Sequence, residues 1–174
     1  NNPEIAKTFF QNGADKISIN TISYEDKETI DKISDLYGSQ SISVMIDYKK
    51  KDNEIFLFSN CGAKQEKSSL KQHLENIDNM NTGEIILNSI DRDGNGAGLD
   101  LEILKLLKNS ISKPILLMGG AGKPEHLSEA LQKKQVSGVI TANLFNFLGK
   151  GLQEARNFSI KKNIRLIKFE GVNI

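Results

Sequence analysis

The chain has 174 residues, 38% hydrophobic and 26% charged, with a formal net charge of +1. That balance describes a globular unit with one substantial core. No basic run is long enough for nucleic acid, and no apolar run reaches the roughly 18 residues of a membrane span. Cys61 is the sole cysteine, so no internal disulfide framework is possible and a reducing cytoplasm fits.

The chain opens at Asn1 in what reads as a helix, with no signal peptide and no initiating methionine, and the expectation is a fragment of a longer protein. Pro3 to Gln11 reads as a short helix, since Pro suits the first turn and Asn12-Gly13 ends it. "DKISINT" reads as a strand. "SYEDKETIDKISDLYGSQ" reads as one helix, with Ile30, Ile33 and Leu36-Tyr37 on a common face and Gly38 as the stop. "SISVMID" is a buried strand ending at Asp47. The polar stretch "YKKKDNE", a solvated loop, separates it from an added strand, "IFLFS". "SSLKQHLENIDNM" is a helix and "GEIILNSI" an apolar strand. "LDLEILKLLKNS" is a helix, "PILLMGG" a strand, "KPEHLSEALQKK" a helix, "SGVITAN" a strand and "LGKGLQEARNFSIKKN" a helix. The last apolar stretch, "IRLIKF", has no assigned role.

Strand and helix thus alternate five times, and each strand is a short, nearly continuous apolar run. This is the mark of a parallel sheet covered by helices. The strands end near Asn20, Asp47, Ser89, Gly120 and Asn143. In α/β proteins the chemistry gathers beyond such carboxyl ends, and here the distinctive polar and glycine-rich motifs lie there.

One of these motifs has two readings. Asp91, Asp93, Asn95, Gly96 and Glu102 fit the calcium-loop spelling of an EF-hand. That motif needs a helix on both sides, and "GEIILNSI" is β-branched and apolar. The better reading is a strand-end turn. In it Asp91 and Asp93 sit at the strand mouth, residues 94–98 turn tightly on their glycines, and Asp100 caps the next element. No metal site is expected. His73 and His126 lack ligand spacing and read as packing or surface residues, as do Phe145 and Phe147. Cys61 has no base near it in the sequence and is not expected to be a nucleophile.

"GADKISINT", "MID", "GEIILNSIDRDGNGAGLD", "PILLMGGAGKPEH" and "TANLFNF", in that order, resemble the cyclase subunits of imidazole glycerol phosphate synthase. The resemblance runs from the start of the chain to the helix after Asn143. It implies a (β/α)8 barrel of which residues 1–174 supply an incomplete, C-terminal part, strands four to eight. The first three strands, with the catalytic aspartate that the family carries on its first strand, are expected to be missing. The two sheet edges are then open, and this chain is expected to be inactive alone. The family takes ammonia from a glutaminase subunit, with which it forms a heterodimer. It joins the ammonia to a phosphoribulosyl aminoimidazole carboxamide nucleotide, giving imidazole glycerol phosphate for histidine biosynthesis, with no cofactor.

Residue by residue, the resemblance makes Asp47 the second catalytic carboxylate, a group able to carry the proton transfers that ring closure and C–N cleavage require. The substrate bears two phosphates. Asn20 and Thr21 match part of one phosphate site. Asp93, Gly94, Gly119, Gly120, Ala142 and Asn143 match the surroundings of the other, where glycines let backbone amides approach and Asp93 orients a loop or meets a sugar hydroxyl. Lys50 stands where the family often has a basic residue, and reads equally as a solvated lysine. At the opposite face Lys16 and Glu84 match members of the ammonia gate, a pairing costly to bury unless the charges meet. Asp15 matches a glutaminase contact.

The pattern departs from the family in places. "CGAKQEKSSL" lacks the Thr-Gly pair of the substrate-holding loop, Asn143 stands for a small hydroxyl residue, and "MGG" replaces a small residue before two glycines. With "LNSIDRDG" and "SNCG", these features resemble a paralogous branch that channels ammonia for amidation of surface-polysaccharide sugars. A non-catalytic, phosphate-binding barrel is the third reading.

Overall fold

The computed structural model describes residues 3–52, 54–107, 111–142 and 150–167. Among them is a seven-stranded sheet. The strands are β1 (Ile17–Ile19), β2 (Ile42–Lys51), β3 (Glu54–Ser59), β4 (Lys64–Gln65), β5 (Glu84–Ser89), β6 (Ile115–Met118) and β7 (Gly138–Ile140). β1, β2, β5, β6 and β7 pair in that spatial order, all parallel. β3 and β4 form an antiparallel ribbon on β2. The helices are α1 (Pro3–Gln11), α2 (Ile22–Glu25), α3 (Lys27–Tyr37), α4 (Leu70–Asp78), α5 (Pro124–Leu131) and α6 (Gly151–Lys161). This is the helix-covered parallel sheet that the alternation of apolar runs implied, and it fits the C-terminal part of a (β/α)8 barrel that the family resemblance implied.

The pleat of each strand sorts its residues between two environments. Ile42, Val44, Ile46 and Tyr48 of β2 and Ile85 and Leu87 of β5 lie in the core under the helices. The alternate residues Ser43, Met45 and Asp47 face the other way, beside Glu84, Ile86 and Asn88 of β5 in register. Ile86 is buried yet stands outside that core cluster, as the alternation requires. The helix ends follow local chemistry. Pro124 opens α5 at its first turn, and Ser69 with Gln72 forms a reciprocal capping box on α4.

Three expectations are corrected. The helix expected over residues 23–40 is broken at Asp26, whose side chain accepts from Thr29 N (3.0 Å) and Thr29 Oγ1 (2.7 Å) and so starts α3 afresh. The lysine stretch after Asp47 is strand, not loop. β2 continues to Lys51 because β3 folds back on it, with Lys49 over the Phe58 ring at 5.1 Å. The segment after β5 forms a 3-10 helix, Glu102–Leu106, in place of an α-helix. Asp100 accepts from Glu102 N at 3.2 Å, and Leu107 turns extended.

Asp100 also joins layers. It is buried and accepts a hydrogen bond from the buried Tyr48 hydroxyl at 3.1 Å, with Arg92 Nη2 3.9 Å away. Burial and the Asp100 charge push the Tyr48 phenol far up, so it remains a donor. Tyr48→Phe leaves that carboxylate short of a partner and is expected to lower stability by about 1–3 kcal/mol. A urea midpoint that falls with unchanged slope is the expected result; an unchanged midpoint contradicts the role given to this bond.

Candidate active site

Because the five strands run parallel, their carboxyl ends share one face. Asn20 and Thr21 follow β1, Asp47 lies within β2, Asp93 and Gly94 follow β5, Gly119 and Gly120 follow β6, and Ala142 follows β7. Asn143 lies outside the described residues, as do Phe145 and Phe147. A cleft of about 370 Å³ runs along β1, from Ile5 and Phe9 of α1 to this face, where Asn20, Thr21, Asp47 and Cys61 are among its lining residues. Cys61, remote from any base in sequence, thus shares a wall with Asp47.

Asp47 is 8% exposed. Its Oδ1 accepts a 2.7 Å hydrogen bond from Nδ2 of Asn88, its neighbour across the ladder. Burial raises its pKa. The Asn88 bond works against that shift, and the charge of Asp93 adds to it. A carboxyl that keeps its proton beyond the ordinary range, in a cleft, is fitted to both donate and accept protons. Asn88 Oδ1 is buried with no hydrogen-bond partner among the described residues.

The loops after β5 and β6 close on each other through glycine. Gly98 N donates to Gly120 O at 2.8 Å. A side chain on Gly119 (φ +93) would meet Ser89 O at 2.4 Å, and one on Gly120 (φ +97) would meet Gly98 O at 2.5 Å. Positive φ and the close backbone both demand glycine there. His126 braces the same loops: Gly122 N donates to its Nδ1 at 3.2 Å, and its ring lies 3.6 Å from where a Gly98 side chain would start. Asp91 orients backbone, accepting from Lys50 N at 3.0 Å. The segment stands between strand β5 and a 3-10 helix, so the helix–loop–helix frame of an EF-hand is not formed.

Asn20 and Thr21 are clasped by the β3 turn. Asn20 Nδ2 donates to Phe58 O at 3.2 Å, Asn60 N donates to Thr21 Oγ1 at 3.0 Å, and Thr21 Oγ1 donates to Asn60 Oδ1 at 3.2 Å. Asn20 Oδ1 is left without a partner among the described residues.

At the opposite ends of the strands, Lys16 Nζ meets Glu84 Oε2 at 2.6 Å, and Ser43 Oγ donates to Glu84 Oε1 at 2.6 Å. The ion pair spans β2 from the start of β1 to the start of β5. It is not fully buried, the Lys16 side chain being 48% exposed and that of Glu84 17%. Burial raises the Glu84 pKa, but the Lys16 and Ser43 hydrogen bonds outweigh it and hold the carboxylate below its usual range. Asp15 is exposed beside them.

Sequence reasoning passed over Asn88 and the polar group of Ser23, Tyr24, Glu66 and His73 behind the Asn20 turn. Asn88 had a signal, being an amide inside an apolar strand run. The polar group had none, because its members come from separate elements. Among the described residues, no helix is long and apolar enough to cross a membrane.

The model of a family described as histidine biosynthesis protein matches residues 1–150. The chain is 39% identical over 153 residues to a protein of Parasynechococcus marenigrum provisionally named imidazole glycerol phosphate synthase subunit hisF2, covering 88% of this chain and 57% of the relative. It is 35% identical over 161 residues to imidazole glycerol phosphate synthase subunit HisF of Chlorobaculum parvum, covering 92% and 64%. A third similarity, 36% over 155 residues, is to the subunit HisF of Sulfurisphaera tokodaii, covering 89% and 61%. The chain therefore spans roughly three-fifths of the length of these relatives.

The Asp47 environment sets a pH test. Folded Asp47 holds its proton to higher pH than the unfolded chain does, so between the two pKa values the folded state binds more protons. Stability is then complete below the unfolded value and falls as pH rises through the folded one. Asp47→Asn is expected to be more stable than wild type at pH 7 and to lose that advantage near pH 3. Thermal melts at both pH values check this, and an advantage only in acid contradicts it.

Proposed function

This chain belongs to the histidine biosynthesis protein family, and from that premise we propose that it carries strands four to eight of a cyclase barrel of the imidazole glycerol phosphate synthase type. In this reading residues 1–174 form an incomplete barrel, and the complete protein adds ammonia from a glutaminase subunit to a phosphoribulosyl aminoimidazole carboxamide nucleotide. The observation that carries the proposal is Asp47: a buried carboxyl with a raised pKa, held by Asn88, on the face where the glycine loops also end. Proton transfer to and from the closing ring falls to it.

The glycine loops after β5 and β6, with Ala142 and Asn143, take one phosphate, and the Asn20–Thr21 turn takes the other. Supporting this are the backbone amides that such tight glycine turns can present to an anion. The Lys16–Glu84 pair stands on the far face and serves as the gate through which ammonia enters, with Asp15 facing the glutaminase. We place this chemistry in the cytoplasm, where an exposed Cys61 thiol stays reduced. No cofactor is required, since each step is an addition, elimination or proton transfer.

A second reading is favoured by the loop after β3. It lacks the Thr-Gly pair of the substrate-holding motif and reads Asn60-Cys61-Gly62, all three with positive φ. In that reading the same barrel and gate pass ammonia toward sugar amidation instead.

In the full-length protein with its glutaminase, Asp47→Asn is expected to lower ammonia-dependent turnover of the nucleotide by about a hundredfold or more, with the fold intact by circular dichroism. Turnover within a few-fold of wild type contradicts the assignment. Rescue of a histidine-requiring strain separates the two readings, since the sugar-amidation paralog gives none. Lys16→Met is expected to cut glutamine-dependent turnover while leaving turnover with added ammonia within about twofold. Equal loss of both contradicts the gate.

A further inference from the structure

We propose that His73 and Ser23 form a positioning pair for the Asn20 turn, acting through the hydrogen-bonded chain His73 Nε2–H to Ser23 Oγ–H to the Asn20 carbonyl. The proposal deepens the reading above, on which its ligand depends, because that reading makes Asn20 and Thr21 one phosphate end of the cleft.

The geometry fixes the direction of the chain. Ser23 Oγ lies 2.6 Å from Asn20 O and 3.3 Å from His73 Nε2. A carbonyl only accepts, so the single hydroxyl proton goes to Asn20. Ser23 can then only accept from His73, which places the imidazole proton on Nε2. Both residues are buried, His73 at 1% exposure and Ser23 at 5%. The Tyr24 ring stacks on the imidazole, with centroids 3.8 Å apart and planes 7° from parallel, and so fixes the ring's orientation.

The chain needs a proton on Nε2, and the surroundings hold the ring neutral. Burial lowers the His73 pKa to about 4, against the opposing charge of Glu66. Glu66 is itself engaged, accepting from Ser59 Oγ at 2.5 Å and facing Lys64 Nζ at 3.0 Å. Tyr24 brings a hydroxyl whose pKa burial and the Glu66 and Asp47 charges push far up, so it adds no charge.

The pair has an object beyond filling space. A phenylalanine would fill the site and stack on Tyr24 equally well. The polar atom instead leads to Asn20, one of the residues that line the cleft. Ser23 from α2, His73 from α4 and Phe58 from β3 all converge on Asn20, pinning its carbonyl and its amide nitrogen. Asn20 Oδ1 is left buried and without a partner among the described residues; as an acceptor it does not bind an anion, so the turn meets phosphate through backbone N–H groups whose positions these bonds fix. Held in this way, the turn presents a fixed rather than a wandering contact, which is how supporting residues increase affinity.

The test uses the full-length protein with Ser23→Ala, His73→Phe, the double variant and the conservative His73→Gln, with inorganic phosphate as probe in calorimetric titration. Each single variant is expected to weaken phosphate binding about three- to tenfold. The double variant should be no weaker than the worse single one, because the bonds act in series, and His73→Gln should recover part of the loss. Nitrogen NMR of the imidazole should show the Nε2–H tautomer, and Ser23→Ala should shift the Asn20 and Thr21 amides. Wild-type phosphate affinity in both single variants, with only thermal stability reduced, overturns the pair as a positioning device. So does an Nδ1–H tautomer. If the wild-type protein binds no phosphate, the phosphate reading itself fails. The tautomer and the amide shifts then still decide the hydrogen-bonded chain, and unmoved amides overturn it.

Discussion

The register of β2 is the constraint from which the remaining structure follows. This strand pairs with β1 over its first residues, with β3 over its last, and with β5 along most of its length. Its pleat commits Ile42, Val44, Ile46 and Tyr48 to the helix-covered core and Ser43, Met45 and Asp47 to the other face. A slip of one residue would bury Asp47 among aliphatic side chains and send Ile46 into the cleft. The cost of such a slip holds the strand in place and, with it, the Asp47 carboxyl beside Asn88.

The same alternation distributes polar groups along one line of the sheet. At one end Ser43 supports Glu84, and at the other Asp47 is supported by Asn88. Each is a ladder-paired couple of β2 and β5, yet the two environments differ. Glu84 meets a cation and is held ionised, whereas Asp47 meets an amide and another acid and is held toward its protonated form. A single pair of strands thus places a charge-stabilised carboxylate at one end of the sheet and one held toward its protonated form at the other. Glycine completes the second end, since the loops after β5 and β6 approach too closely for any side chain at Gly119 or Gly120.

What the sequence made legible was what local chemistry decides. Pro3 marked a helix start, the apolar runs marked parallel strands, and the ordered strand-end motifs carried the family resemblance. That resemblance singled out Asp47, Lys16 and Glu84, and the structure puts Asp47 beside Asn88 and joins Lys16 to Glu84. One departure was local: α3 begins after Asp26 because its cap on Thr29 competes successfully with helical periodicity. The others arose where distant residues decide. β2 outruns Asp47 because β3, itself foreseen, pairs with the lysines. The segment after Asp100 tightens to a 3-10 helix where that carboxylate is claimed by Tyr48 from 52 positions earlier. Asn88 and His73 were passed over for the same reason, since their meaning lies in partners 41 and 50 positions away.

The account stands on the electrostatics of one carboxyl, and a site-specific NMR titration of Asp47 in the full-length protein reads it directly. The expected result is a pKa above the ordinary aspartate range, raised further in Asn88→Leu, where the opposing hydrogen bond is removed. An ordinary value in wild type, unmoved by the substitution, would contradict the account of Asp47 as a proton-exchanging group at the mouth of the sheet.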